Sequence, residues 1–567
     1  MNKTNTIHPE LLADLMRQGA DIDRTLKILS LLDSPAYTSA KGSTGTDTVT
    51  LPQEGDPRII DVQNLESLRV HRKDLEDFMS CYHLPPHLLE QIQTHDSEYL
   101  LDRNILYKIG VYLYPVTAYG VLNGGSATTY GDNKKNQALS PSAYELFRED
   151  FLNQAEQCKN NPKGITSAYF EADGAAGPSF LLLKMRSLLI HALEYRLLSG
   201  DYSKSILPFF QMTSDSTDEK LREAYEQYRE DPLLAELIQE TRIDPTRALS
   251  AKQGLIGALT HSSEGSPRRI FDRAYGIPHR GLALPGGHGE NFRVLAPIYR
   301  QLHAQGVRFV YLGNVDNSGY TIDPVELAYF ALKHHSEQAE AAFEFAWRTP
   351  VDVKGGILVQ DSSGNFTVGE IGQRISSDQV QEEEKKGAHV LFNCATGLFS
   401  LDYLVEQLDS IPDKLPIRVS DQDKEAGKYA QAEQTTWEVL GLMKKPQIMA
   451  VEKNKRFIAA KMLLETFLAS PRGLILDQAE KVEAPIKETS RLLRKGLQKL
   501  LVEEYGLEQE TGPYRESSPY QKTGRSQGTG RLQGSNLPQG NSHYRPRGLA
   551  EIREELSRKL IQGITKN

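Results

Sequence analysis

The chain has only three cysteines in 567 residues, Cys81, Cys158 and Cys394. They lie far apart in sequence, which argues against a disulfide framework or a zinc motif and fits a reducing cytoplasm. No apolar run approaches the length needed to span a bilayer, so a membrane partner is not expected. The first residues, MNKTNTIHPELLADLMRQGADIDRTLKI, lack the apolar stretch and cleavage site of a signal peptide, so the expected location is cytoplasmic. The formal net charge of −9 gives no global reason to expect a nucleic-acid partner. There is no Walker A Gly-Lys-Ser/Thr loop, no dinucleotide fingerprint and no internal repeat.

What is present is a chain with 39% hydrophobic and 25% charged residues, the balance of a soluble globular protein of two to four domains. Apolar residues recur at helical spacing from Pro9 to about Leu32 and again from Arg72 to Ile92, so residues 1–105 read as a helical N-terminal region. Residues 38–60, rich in Gly, Ser, Thr and Pro, read as a connection. From residue 106 to 470 strand, loop and helix alternate, which predicts an α/β domain with a mostly parallel sheet. Strands are expected at 116–122, 206–212, 307–312, 355–360, 365–371 and 389–393, with helices at 217–229, 291–305 and 401–408. Asp361-Ser362-Ser363-Gly364 is a hairpin turn between two of the strands. Residues 471–509 read as a C-terminal helical segment. Residues 510–548, poor in apolar side chains, read as a disordered linker, and 549–567 as a terminal helix able to dock on a partner or on the protein itself.

Chemistry gathers at loops that follow strands. VRFVYLGNVDNSG, residues 307–319, runs from a buried strand into Asn314, Asp316 and Asn317. In open α/β sheets that strand end borders the ligand crevice, and a carboxylate there can hold a divalent cation. An Asx-rich turn leading to the helix near Asp323-Pro324 accounts for the same residues without a ligand. A strand also runs into Leu122-Asn123-Gly124-Gly125, where paired glycines let backbone approach a base or phosphate, and Lys134 and Lys135 follow. Gly286, Gly287, His288 and Gly289 stand just before a helix N-terminus, which favours an anion. DVKGG (352–356), GEIGQ (369–373), FNCATGL (392–398) and RFIAAK (456–461) complete the series.

In that order, the series resembles the UTP–glucose-1-phosphate uridylyltransferases, or UDP-glucose pyrophosphorylases, over roughly residues 117–468. That family carries LNGGLGT, PKS, PPGHGD, SNIDNLG, DVKGGTL, FNTNNLW and RFLPVK. The resemblance implies a GT-A-like nucleotidyltransferase domain that makes UDP-glucose and pyrophosphate from UTP and glucose 1-phosphate with Mg²⁺. It implies nucleotide contacts from Leu122, Asn123, Gly124, Gly125 and Gly287. It implies sugar-phosphate contacts from His288, Asn314, Glu370 and Asn393, a metal-binding catalytic Asp316, and a catalytic Lys461 that meets the phosphates in the transition state.

This chain departs from the family in places. Ala127 replaces a glycine of GLGT. The lysine of PKS has no residue in register, and Lys135 is taken as its substitute. FNTNN becomes Asn393-Cys394-Ala395-Thr396-Gly397, which loses two sugar-facing amides. No uracil-contacting glutamine stands around 259–268. Two other readings stay open: the same chemistry on another sugar 1-phosphate (N-acetylglucosamine or galactose), and a non-catalytic nucleotide-sugar sensor or scaffold whose tail recruits a partner.

Overall fold

A computed structural model describes residues 7–34, 49–53, 55–127, 130–159, 161–348, 355–372, 374–388, 390–511 and 542–562. Its centre is a ten-stranded sheet whose main path runs Ile59–Asp61, Pro446–Val451, Ala341–Trp347, Leu391–Ser400, Phe309–Asn314, Thr117–Leu122, Phe209–Ser214 and Leu249–Gln253. Neighbours on this path are parallel except at Leu391–Ser400, which is antiparallel to both of its partners. The hairpin Gly356–Gln360 and Phe366–Glu370 branches from that strand.

Successive side chains of each strand point to opposite faces, and both faces of the sheet are covered. Phe309 and Tyr311 join a core beneath the helices Arg103–Tyr112, Phe180–Ser199 and Pro324–Glu337. Val310 and Leu312 join a second core under Ala296–Ala304 and Leu401–Gln407. Register then aligns the carboxyl ends of four parallel strands. Asn314 pairs with Leu122, Leu122 with Met212, and Ser214 with Gln253. Loops separated by up to about two hundred residues therefore open on one edge, where ligands sit in such sheets.

Several elements differ from expectation. The N-terminal region is mixed rather than helical: Ser67–His71, Gln93–His95 and Glu98–Asp102 form an antiparallel sheet. Ile59–Asp61, expected to be connection, is an edge strand of the main sheet because it pairs with Ile448–Ala450. The strand expected at 389–393 runs on as Leu391–Ser400. Asn393 is therefore in mid-strand, beside a register shift at which Ala395 takes φ 53°. Of the presumed linker 510–548, residues 512–541 lie outside the described residues, and its two flanks instead pair as Leu507–Thr511 and Ser542–Pro546. The terminal helix Leu549–Gln562 packs on the protein's own helix Phe180–Ser199. Arg186 of that helix donates to the carbonyls of Tyr505, Gly506 and Arg547 and so anchors the C-terminal segment. No helix among the described residues is long and apolar enough to cross a membrane.

Candidate active site

At the aligned strand ends lies a cavity of about 380 Å³ lined by His288, Asn314, Asp316, Glu370, Asn393 and Lys461, with Arg418, Thr435 and Trp437 beside them. The expected metal and sugar-phosphate residues and the expected catalytic lysine thus meet on one wall. The expected nucleotide residues Leu122, Asn123, Gly124, Gly125 and Gly287 do not line it. They lie next to it in the fold: Leu122 pairs with Asn314, Gly125 O accepts from Lys163 N, and Gly287 precedes His288. Asp352 to Lys354, from the DVKGG motif, lie outside the described residues.

The turn that carries Asp316 is held from beneath. Asn317 is 1% exposed. Its amide donates to Arg456 O at 2.9 Å and accepts from Gly319 N and Ile458 N, both at 3.0 Å. Lys184, buried on the long helix, donates to Asn317 O at 2.8 Å and Tyr320 O at 3.0 Å. The Ala460 amide donates to Asp316 O at 3.1 Å, which brings Lys461 alongside. These bonds leave the Asp316 carboxylate facing the cavity wall while its backbone is fixed.

One partner of Asp316 went unrecognised in the sequence. Lys163 Nζ pairs with Asp316 Oδ2 at 2.5 Å, both side chains being largely buried. Lys163 N also donates to Gly125 O at 3.2 Å, and Ser126 bridges to Pro162, so this lysine stands against the glycine loop. Lys135, chosen from sequence, is instead exposed on the helix Asn133–Leu139, with its amide capping to Asp132 at 2.9 Å. The reason is an insertion: the helices between Asn133 and Cys158 separate the glycine loop from Pro162-Lys163-Gly164, which repeats the Pro-Lys of PKS. That tripeptide was the available signal. Lys163→Ala, which takes a fixed cation from beside the glycine loop, is expected to lower turnover of the reaction proposed below about 100-fold or more. Lys135→Ala is expected to leave steady-state kinetics within about twofold, since an exposed lysine off the site contributes little.

The glycine loop works through its backbone. Asn123 is fully buried and donates to Gln211 Oε1 at 3.1 Å, so its side chain is internal. A Cβ on Gly125 would meet nothing within 4 Å, leaving its backbone open. Gly287 has φ +84°, and a Cβ there would lie 2.4 Å from Gln434 O, so only glycine fits. Between the two loops stands Gln253, at the end of its strand, with Nε2 donating to Gly287 O at 2.8 Å. No glutamine stands at 259–268; Gln253 reaches Gly287 instead, through the register Ser214–Gln253.

His288 is held by Thr436. The Thr436 amide donates to Nδ1 at 3.0 Å, and the Thr436 hydroxyl donates to His288 O at 2.9 Å. With Nδ1 accepting, the proton sits on Nε2. Burial, and then the charges of Lys461 and Arg418, push its pKa down to about 4. The site therefore presents a neutral N–H donor rather than an imidazolium. The unfolded imidazole titrates near 6.5, so the unfolded chain binds the extra proton between pH 6.5 and about 4. By that sign this residue lowers stability as pH falls through that window. In ¹H–¹⁵N spectra, His288 is expected to keep the Nε2–H tautomer from about pH 8 to about pH 5.5, whereas a titration midpoint near 6.5 would contradict the assignment.

Arg24, from the helix Ile22–Leu32, is 5% exposed and donates to Glu290 Oε1 through Nε at 2.8 Å, and to Gln434 Oε1 at 2.6 Å. The N-terminal helices thus brace the loop that carries His288.

The α/β sheet brings a glycine loop, a neutral histidine donor and a lysine–aspartate pair together at its parallel strand ends, an arrangement of the kind that suits a phosphorylated ligand. Residues 273–493 match the family model described as UTP--glucose-1-phosphate uridylyltransferase, the family that the motif series resembles. A probable UTP--glucose-1-phosphate uridylyltransferase of Schizosaccharomyces pombe is 29% identical over 214 residues. That match spans 36% of this chain and 35% of the relative. The fold is similar to that of a UDP-N-acetylglucosamine pyrophosphorylase from Trypanosoma brucei solved with an inhibitor, with a TM-score of 0.54, 15% identity and 88% of each chain covered. It is also similar to a mutant UDP-glucose pyrophosphorylase from Leishmania major in complex with UDP-Glc. There the TM-score is 0.50 and the identity 16%, over 82% of this chain and 79% of that one.

Proposed function

We propose that the protein is a Mg²⁺-dependent uridylyltransferase that makes UDP-glucose and pyrophosphate from UTP and glucose 1-phosphate, with residues 106–470 as a GT-A-like catalytic domain. The observation that carries this reading is the convergence of Asp316, Lys163, His288 and Lys461 beside two glycine loops at one sheet edge. In the proposed reaction a phosphate oxygen of the sugar 1-phosphate attacks the α-phosphorus of UTP in line, and pyrophosphate leaves. The protein's part is to position the reactants and offset charge. Gly124, Gly125 and Gly287 admit the nucleotide close to backbone, and Gln253 reads the base. Lys163 meets the triphosphate. His288 donates Nε2–H to a phosphate oxygen, and Lys461 stands where charge develops. Asn314, Glu370 and Asn393 take sugar or ribose hydroxyls.

The donor set fits Mg²⁺. Among the described residues, the only three-residue group of ligating side chains close enough to share an ion is His8, Glu10 and His279, which does not line the cavity. The cavity supplies Asp316 beside the phosphate site, which suits a cation held by a carboxylate plus substrate phosphates. Asp316 would hold such an ion, whose charge would offset that of the phosphates.

Pyrophosphate release, measured with Mg²⁺ across a panel of nucleoside triphosphates and sugar 1-phosphates, tests the reading. UTP with glucose 1-phosphate should give the highest kcat/KM. A preference for N-acetylglucosamine or galactose 1-phosphate would move the sugar assignment, and no release with any pair would favour a sensor.

A further inference from the structure

The sequence lacks two amides where the related family reads its sugar, and the structure shows what stands in that part of the cavity instead. Arg418, from the strand Arg418–Lys424, lines the wall with Glu370, Asn393, Thr435 and Trp437. One edge of its guanidinium is pinned: Nε and Nη2 donate to Glu438 Oε1 at 3.2 and 3.0 Å. Glu438 is itself fixed, being 6% exposed with Oε2 accepting from Thr435 Oγ1 at 2.7 Å. The other edge, Nη1, stands 3.5 Å from Glu370 Oε1, with both side chains about one-third exposed toward the cavity. A charged donor and a charged acceptor therefore sit side by side, neither of them saturated by the other at that distance.

The neighbouring amide cannot do this work alone. Asn393 Oδ1 already accepts from Ala395 N at 2.9 Å, so one of its two acceptor positions is taken. Cys394 and Thr396 are 0% and 1% exposed. The indole N–H of Trp437, a buried residue of the same wall, has no hydrogen-bond partner among the described residues.

We infer that Arg418 is a specificity-determining residue that, with Glu370, reads one free hydroxyl of a neutral hexose 1-phosphate. This rests on the proposed function. A hydroxyl is the sugar substituent that accepts and donates through a single oxygen, so it accepts from Arg418 Nη1 while donating to Glu370. A carboxylate at that position would meet Arg418 but face Glu370 with like charge. A deoxy carbon would leave both groups unanswered, and unpaired polar groups of this kind are where discrimination arises.

The test is a double-mutant cycle between Arg418 and the sugar. kcat/KM is measured for wild type, Arg418→Met and Arg418→Lys, using glucose 1-phosphate and a set of its monodeoxy analogues, each lacking one hydroxyl. In wild type, loss of the read hydroxyl is expected to cost about 10- to 100-fold, as for a hydrogen bond to a charged group. In Arg418→Met that penalty should shrink to about threefold or less at that one position, with the KM for UTP unchanged. Arg418→Lys keeps a charge for Glu438, and so the fold, but lacks the planar fork; it should lose most of the same discrimination. It decides the matter if the methionine variant does not fold. An active wild type whose variants show additive penalties at every position would overturn the inference and leave the proposed function standing. A wild type that turns over no sugar 1-phosphate would overturn both.

Discussion

Asp316→Asn is expected to abolish turnover, by about a thousandfold or more, without unfolding the protein. The substitution keeps the shape of the side chain and removes its charge. The turn should persist, because its bonds are made by the Asp316 carbonyl, by Asn317 and by Lys184 rather than by the Asp316 carboxylate. Under the proposed function, what is lost is the anionic oxygen that would hold Mg²⁺, and with it an electrostatic contribution of several kcal/mol in the transition state. Lys163 keeps an oxygen to donate to but loses the opposite charge. At 13% exposure it can turn toward solvent, so a stability loss of about 1 kcal/mol is expected. Pyrophosphate release and urea unfolding, measured on the same preparation, separate the two effects. Activity within tenfold of wild type would sink the assignment of Asp316 to the metal.

Arg456→Met is expected to have the largest effect on stability, about 3–5 kcal/mol, the usual consequence of removing one partner from a buried ion pair. Arg456 is 6% exposed, and Glu344 and Glu326 are 0% and 1% exposed. Arg456 Nε donates to Glu344 at 3.1 Å, Nη2 forms a shorter bond to the same carboxylate, and Glu326 lies 4.0 Å away. Nη1 and Nη2 also donate to Thr321 Oγ1 and O at 2.9 and 2.8 Å. Without the guanidinium two carboxylates are left buried together. Burial and the neighbouring Glu344 already hold the Glu326 carboxyl well above its usual range. Arg456 opposes that rise, so without it the carboxyl takes up its proton at higher pH, and the variant's deficit should be smaller at about pH 5.5 than at about pH 8. Equal urea midpoints for variant and wild type at both values would contradict this account. The Arg456 carbonyl also accepts from Asn317, so the loss should reach the Asp316 turn and lower turnover as well.

The local chemistry of the site was legible in the sequence because it is local. Gly124-Gly125, Gly287 and the Asn-Val-Asp-Asn turn follow strands, and each announces itself through residues that permit close backbone approach or that end a buried run. The strands themselves show through β-branched and aromatic runs, and the mostly parallel sheet through their alternation with helices. The order of these motifs, rather than any one of them, pointed to the uridylyltransferase family whose model matches residues 273–493.

Only the tertiary structure decided which lysine, glutamine and arginine join them. Lys163 meets Asp316 across an inserted helical segment that carries a nearer lysine, Lys135, away from the cavity. Gln253 reaches Gly287 through the pairing of two parallel strands, and Arg418 comes to Glu370 from a separate small sheet. Arg24 braces Glu290 from the far N-terminus, and Asn393 sits in a mid-strand irregularity where a strand end was expected. These contacts depend on hydrogen-bond register and on burial between segments distant in the chain. A strand's own pattern shows which residues are buried but not which distant segment pairs with it, so these contacts cannot be read from the residues alone.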